Sequence, residues 1–178
     1  MAETERETLQ TDCAIIHEIY DNGDAQEQFE YELEQALEAG RAIIVIEPSR
    51  LGDETARWIA VGNGLHKAAV LAGVACLVAP WMLPARLASP PVAAAPLGLA
   101  SLACAALYGL SWRPDPCCRY QVEQDPRSLA RLPLHALTTA APVVLVRRDD
   151  RYRRALHNAI AGLATLYLAA KFYRWCAH

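Results

Sequence analysis

Charged side chains are almost absent from the middle of this chain. Residues 68–112 contain a single one, Arg86, whereas residues 1–67 carry a net charge of −10 and residues 113–178 a net charge of +6. Water-soluble domains keep charged residues on their surface, so one charge in forty-five residues is very unusual for a soluble domain. The near-neutral total of −3 conceals an acidic head, an uncharged middle and a basic tail.

Sequence signatures of catalysis and of metal binding are also missing. The six cysteines show no disulfide framework, and the adjacent Cys117 and Cys118 lack the two-residue gap of a zinc half-site. No histidine has the helical i, i+4 spacing with a glutamate that zinc enzymes use, and residues 62–67, GNGLHK, lack the order of a phosphate loop. We therefore predict no enzyme activity, no cofactor, no metal site and no nucleic-acid partner.

The first twelve residues carry no recognisable targeting segment. They have neither the apolar run of a secretory signal nor the Arg-rich, acid-poor composition of a transit peptide. Residues 1–12 are therefore predicted to be an acidic, flexible start, and targeting information is expected in internal segments.

Two short α/β segments flank the uncharged middle. In residues 13–57, β-branched runs at 13–20 and 41–47 predict strands, and an amphipathic pattern at 25–39 predicts the helix between them. In residues 113–150, runs at 119–124 and 142–148 predict two further strands, with a short helix or turn at 128–137. The two segments can pair into one mixed-sheet domain if both lie on the same side of a membrane. The predicted fold class is an α+β membrane protein.

Residues 58–112 are predicted to form a transmembrane helical hairpin. The spans 65–83 and 92–112 hold 19 and 21 residues, about 28 and 31 Å of helix, which suffices for a hydrocarbon core of about 30 Å. Aromatic residues fall near the span ends, with Trp58, Tyr108 and Trp112 at one boundary and Trp81 at the other, as in interfacial belts. The alternative is a buried hairpin in a soluble protein, which needs an apolar partner surface that the rest of the chain can hardly supply.

Small residues recur four positions apart on both spans and predict close packing of the two helices. The first span carries Ala68, Ala72 and Cys76, and the second carries Ser101, Ala105 and Gly109. The alternative is that alanine is simply abundant in this region. Basic residues lie mainly outside the hairpin, so the positive-inside rule predicts that both termini face the cytosol or the mitochondrial matrix.

Five arginines cluster at the start of the last helical pattern: Arg147, Arg148, Arg151, Arg153 and Arg154. Cations at a helix amino terminus oppose the macrodipole, so helix stability does not explain them. We predict contact with anionic lipid headgroups such as cardiolipin, or with an acidic protein surface. The alternative is a solvated charged face, with the preceding aspartates capping the helix.

The last segment, residues 151–178, is predicted to be a helix that is either amphipathic or transmembrane. Residues 155–170 are uncharged, but sixteen positions are short for a span and include a histidine and an asparagine. We favour a helix that lies at the membrane interface or packs on the domain, and a third span is the alternative.

Long strings of this sequence resemble the transmembrane protein 11 family of animals. They include HEIYDNGDAQEQFEYELEQALEA, IVIEPSRLGDETARWIAVGNGLHKAAVLAG and SLACAALYGLSWRPDPCCRYQVEQDPRSLARLPLHALTTAAPVVLVRRDD. The resemblance implies a multi-pass mitochondrial membrane protein, usually of the inner membrane, that is needed for cristae and mitochondrial shape. It also implies association with the cristae-organising complex and with mitophagy receptors, the latter indicating an outer-membrane pool.

A non-enzymatic scaffold or membrane-shaping factor is the function that these expectations favour. Homo-oligomers are compatible with the pattern. The competing interpretation is a small oligomeric channel or transporter, although neither predicted span carries an ionisable residue in its interior, as conducting pathways normally do.

Overall fold

The computed structural model describes residues 12–17, 25–82, 90–124 and 142–177. The amino-terminal residues 1–11, the end of the first predicted strand, the turn that contains Arg86 and the predicted helix or turn at 128–137 lie outside these ranges. The chain divides into two compact units. The sheet unit comprises Met1–Ala60 and Pro116–Asp149, and the helical unit comprises Val61–Asp115 and Asp150–His178.

In the part of the sheet unit that the structure describes there are four short strands and one α-helix that lies wholly within the unit. These elements are β1 (Cys13–Ile16), α1 (Ala25–Glu38), β2 (Ile43–Ile46), β3 (Tyr120–Val122) and β4 (Val143–Arg147). The strand order is β1-β2-β4-β3, in which β1 runs parallel to β2 and the other pairs are antiparallel. The prediction that the two flanking segments form one mixed sheet is therefore confirmed.

Continuous β-branched runs explain why β2 and β4 lie at the centre of this sheet. Ile44, Val45 and Leu145 are fully buried, as expected for strands covered on both faces. The helix α1 ends at Glu38, and Gly40 follows with φ of 65°, a left-handed conformation that favours glycine after a helix. The sheet and α1 thus contribute most of the hydrophobic core of the sheet unit.

Tyr120 joins β3 to the chain segment that enters β2. Its hydroxyl donates a hydrogen bond to the Arg41 carbonyl oxygen at 2.7 Å, and the side chain is buried. Burial raises the pKa of this phenol above its ordinary value, because the phenolate would lose hydration.

Among the described residues, three long helices supply the helical unit: α2 (Ser49–Met82), whose first turns belong to the sheet unit, α3 (Pro90–Leu107) and α4 (Arg151–Cys176). A π-helical segment, Tyr108–Trp112, continues α3. By length and composition, two segments can cross a membrane, Ser49–Ala79 and Ala94–Trp112. The helix α2 begins well before the predicted span 65–83, and its first turns add Leu51 and Ile59 to the core of the sheet unit.

Small residues fill the interior of the helical unit. One layer consists of Ala69, Ala105 and Ala161, one from each helix, and another consists of Cys76, Ala94 and Ala164. Glycines lie between these layers: an added Cβ at Gly73 would meet Ile160 and Ser101, and one at Gly98 would meet Leu168 and Cys76. The three helices therefore approach closely, as small residues allow in membrane bundles.

Candidate functional site

Polar side chains from all three helices meet at one end of the helical unit. His157 of α4 is 2% exposed, and its Nδ1 lies 3.1 Å from the Nδ1 of His66 on α2. The ring of Tyr108, in the π-helical segment that continues α3, packs against His157 edge-on, with ring centroids 4.8 Å apart. At 3.1 Å, one imidazole can donate a hydrogen bond to the other, and the tautomers decide which ring is the donor.

A guanidinium extends this group of side chains. Arg153 of α4 donates to the amide oxygen of Asn63 on α2, one turn from the histidine pair. We call Asn63, His66, Tyr108, Arg153 and His157 the polar cluster. Ionisable side chains inside apolar helix bundles are rare and often mark functional positions, so the polar cluster is the candidate site of this unit. The separation of 91 residues between its two histidines hid the pair from sequence reasoning.

Beside the polar cluster, Asp150 and Arg154 form an ion pair at the start of α4. Arg154 Nε lies 2.9 Å from Asp150 Oδ2, and the two side chains are 31% and 5% exposed. Asp150 occupies the N-cap position, but its carboxylate accepts no hydrogen bond from the helix amides, so the expected side-chain cap does not form. Its negative charge still complements the helix dipole and offsets the neighbouring arginines.

The five predicted arginines are divided between the two units. Arg147 and Arg148 belong to the sheet unit, where Arg147 Nη1 donates to the Gly40 carbonyl oxygen at 2.8 Å and Arg148 lies 3.8 Å from Glu123 Oε2. Arg153 and Arg154 make the helical-unit contacts described above. The fifth, Arg151, begins α4 with an exposed side chain.

The structure places the predicted helix-packing residues unevenly. Cys76, Ser101 and Ala105 are buried in the layers, and the Ser101 hydroxyl donates to the Ala69 carbonyl oxygen of α2 at 2.7 Å. By contrast Ala68 is exposed, Ala72 is half-buried, and an added Cβ at Gly109 would meet nothing within 4 Å. The buried stripe of α2 is therefore shifted from the predicted one.

Two aromatic residues also serve a purpose other than the expected one. Tyr108 and Trp112 are buried in the helical unit rather than exposed at an interfacial belt. The Trp112 indole lies so close to Gly62 that a Cβ there would collide with it. The glycine at this position lets α2 and the end of α3 pack together.

A second polar pair lies in the sheet unit, just beyond the parallel strands β1 and β2. His17 Nδ1 is 3.0 Å from Oε2 of Glu47, whose side chain is fully buried. A cavity of about 120 Å³ opens nearby, lined by residues that include Gln26, Phe29 and Arg50. Ligand pockets usually measure about 300–1,000 Å³, so this cavity is too small for an ordinary substrate. Among the described residues, no three His, Cys, Asp or Glu side chains come together as a metal site.

Comparison with known proteins identifies the family. The model of a family described as "Mitochondrial morphogenesis regulator" matches residues 12–173. The chain belongs to this family. It is 63% identical over 163 residues to "Transmembrane protein 11, mitochondrial" of Danio rerio. The aligned region covers 92% of this chain and 86% of that protein. The Homo sapiens protein of the same name is 61% identical over 163 residues, covering 92% and 84%. No solved structure matches the chain.

Membership in this family bears directly on the class of function. The family is described by its effect on mitochondrial form and not by a reaction. Both relatives are named as transmembrane and mitochondrial. The match extends to residue 173 and thus includes most of α4, beyond the strings that carry the resemblance in the sequence.

Proposed function

We propose that this chain is a non-enzymatic membrane protein of mitochondria that helps to set cristae and organelle shape. In this proposal α2 and α3 cross the bilayer as a hairpin. The sheet unit, built from the two flanks of that hairpin, then remains on one side of the membrane and binds partner proteins. The family description supports the morphological role.

The proposal that the hairpin crosses a membrane rests on which side chains of the helical unit are buried and which are exposed. The two buried layers of the helical unit consist of alanine and cysteine, with Ser101 and two glycines beside them. Large aromatic side chains are buried at one end of the unit, but several leucines are exposed on its outer surface. Leu71 on α2 is 70% exposed, Leu99 on α3 is 62% exposed, and Leu110 in the π-helical segment is 77% exposed. Water would penalise such exposure by about 25 cal/mol per Å², whereas lipid chains would not. Packing of small residues is what holds helices together when no hydrophobic effect drives them to associate.

We place the protein in the inner membrane, with an outer-membrane pool as the alternative. The proposed partners are the cristae-organising complex, mitophagy receptors and further copies of the chain. Anionic headgroups, including cardiolipin, are proposed to contact the exposed guanidinium groups of Arg148 and Arg151. An arginine has five N–H donors, so a contact within the chain leaves others for phosphate oxygens.

The interior of the helical unit argues against the channel or transporter interpretation for a single copy. The polar cluster provides ionisable groups at one end of the unit, but among the described residues the adjacent layer of alanines is tightly packed and leaves no open path. Ala69, Ala105 and Ala161 are 0%, 9% and 2% exposed, and the Ser101 hydroxyl is bonded to an α2 carbonyl. An ion would have to displace this packing, so we favour the scaffold.

Re-expression in cells that lack the protein tests the proposal. Wild-type protein should stay in the alkaline-carbonate pellet of mitochondria and restore cristae seen by electron microscopy. Val74→Lys places a charge on the exposed side of α2 within the span and should reduce both pellet retention and rescue. The matched control, Gln28→Lys, adds the same charge to the exposed surface of α1 and should preserve both. Release of the wild-type protein by carbonate would refute the membrane step, and normal cristae in the null cells would refute the morphological role.

A further inference from the structure

We propose that α4 is a third membrane-spanning helix, whose leucine face contacts lipid and whose last turns emerge on the far side of the bilayer. The proposal rests on the crossing of α2 and α3 described above. It replaces the expectation that both termini share one side, because three crossings separate them.

The depth of the contacts that α4 makes is the first observation. At one end His157 meets His66 and Tyr108, and eleven residues later Leu168 meets Gly98. Eleven residues of α-helix measure about 17 Å. A helix in the interfacial plane sinks only about 5–10 Å and would touch two crossing helices at a single level. Contacts maintained over about 17 Å require α4 to run alongside the two spans.

The length and the ends of α4 fit this placement. Its sixteen uncharged residues, 155–170, measure about 24 Å, slightly less than an average hydrocarbon core of about 30 Å. Lys171 follows them, and its long side chain can reach outward to the headgroups. Phe172, Tyr173 and Trp175 then lie exposed around Arg174, the composition of a membrane interface. Composition alone does not identify α4 as a span, so the proposal depends on the contacts of α4 with α2 and α3.

The exposed side of α4 indicates what covers this helix. Its inner side carries His157, Ala161 and Ala164, which are buried, and its outer side carries Leu156, Leu163 and Leu166, which are exposed. A surface helix of a soluble protein has the opposite distribution, with its larger apolar residues facing the core. The outer leucines continue the apolar exterior of α2 and α3, so we assign this side to lipid acyl chains.

Protease protection of the full-length protein in isolated mitochondria tests the topology. One tag is placed before residue 1 and a different tag after residue 178. When the membranes are opened stepwise, the proposal expects one tag to be digested while the other is still protected by the membrane in which the protein resides. Digestion of both tags at the same step, in protein that remains in the carbonate pellet, would overturn the third span. Loss of the protein from the pellet would instead indicate failure of the proposed hairpin.

Substitution and cross-linking at Leu163 provide an independent test. Leu163→Arg should reduce the fraction of chains with opposite tag accessibility, whereas Tyr173→Arg, at the helix end, should leave that fraction unchanged. Equal behaviour of the two variants would count against a buried span. A photoreactive amino acid at position 163 should form adducts with lipid. A protein adduct, including one of twice the 19.5 kDa mass of the chain, would overturn the assignment of this side to lipid.

Discussion

Replacing Gly73 with alanine puts a methyl group where α2 has no room for one. The added Cβ would lie 2.5 Å from Ile160 Cγ2 and 2.7 Å from Ser101 Oγ. Carbon atoms in contact are normally about 3.5–4.0 Å apart, so the helices must separate by about 1 Å. Overpacking of this kind costs about 1–3 kcal/mol, and removal of a helical glycine returns about 0.5–1 kcal/mol. We expect a net loss of up to about 2.5 kcal/mol in unfolding free energy.

Gly64 provides the matched control because it lies on the same helix and an added Cβ there would meet nothing within 4 Å. Gly64→Ala should gain about 0.5–1 kcal/mol from helix propensity alone. The difference between the two variants therefore isolates the packing cost, about 1–3 kcal/mol. Both can be measured as reversible unfolding of the purified protein in lipid nanodiscs, followed by circular dichroism. Equal stability of the two variants would show that the three helices do not pack through Gly73.

Three further experiments test separate contacts. Ser101→Ala should cost about 1 kcal/mol by removing the buried bond to an α2 carbonyl, whereas Ser111→Ala, at an exposed position, should cost nothing; equal losses would refute the bond. Tyr120→Phe should cost about 1 kcal/mol at neutral pH. Because burial raises the pKa of this phenol, its contribution to the unfolding free energy is complete below the pKa of the unfolded state and is lost as pH rises through the pKa of the folded state. An absorbance titration of the wild type should therefore show the phenol ionising above its ordinary pKa. An ordinary titration midpoint would contradict this. A double-mutant cycle on Asp150 and Arg154 should give a coupling above about 1 kcal/mol, compared with about 0.3–0.5 kcal/mol for the exposed pair of the same spacing near the start of α2; equal couplings would deny the effect of burial.

Local sequence patterns were sufficient for the sheet unit. The strands β2 and β4 are continuous β-branched runs, and the pattern at 25–39 matches α1 to within one residue because Gly40 ends the helix. Pairing of strands from opposite flanks could also be anticipated, since each flank alone is too small to bury a sheet face.

The phase of helix packing could not be read from the sequence. Alanine occupies both position 68 and position 69, and a four-residue spacing does not decide which of them faces the partner helices. The buried residues Gly62, Ala69 and Cys76 are seven apart, and the buried Gly73 lies between the last two. The two glycines therefore mark the buried side of α2 better than the alanines do. Alternation of spacings of three and four residues keeps a stripe on one side of a helix, whereas repeated spacings of four drift around it.

The sequence could not show that the arginine run crosses the boundary between the two units. Arg147 ends β4 and Arg148 follows it in the sheet unit, whereas Arg153 and Arg154 lie in the first turn of α4 in the helical unit. For α4 the sequence favoured a helix at the membrane interface or packed on the domain, with a third span as the alternative, because its moderate composition fits either placement. Our proposal of a third span rests on contacts with residues of α2 and α3 that are distant in sequence.

The order of the strands imposes an order on how this protein can be made. In the sheet β2 pairs with β4, yet the whole hairpin separates them in sequence. If α2 and α3 cross a bilayer, β4 meets β2 only after both helices have been inserted and the chain has returned. Until then β2 has an unpaired edge that other strands could join. Closure of the sheet would therefore report complete insertion, and a quality-control protease could recognise an unfinished chain by its exposed β2 edge.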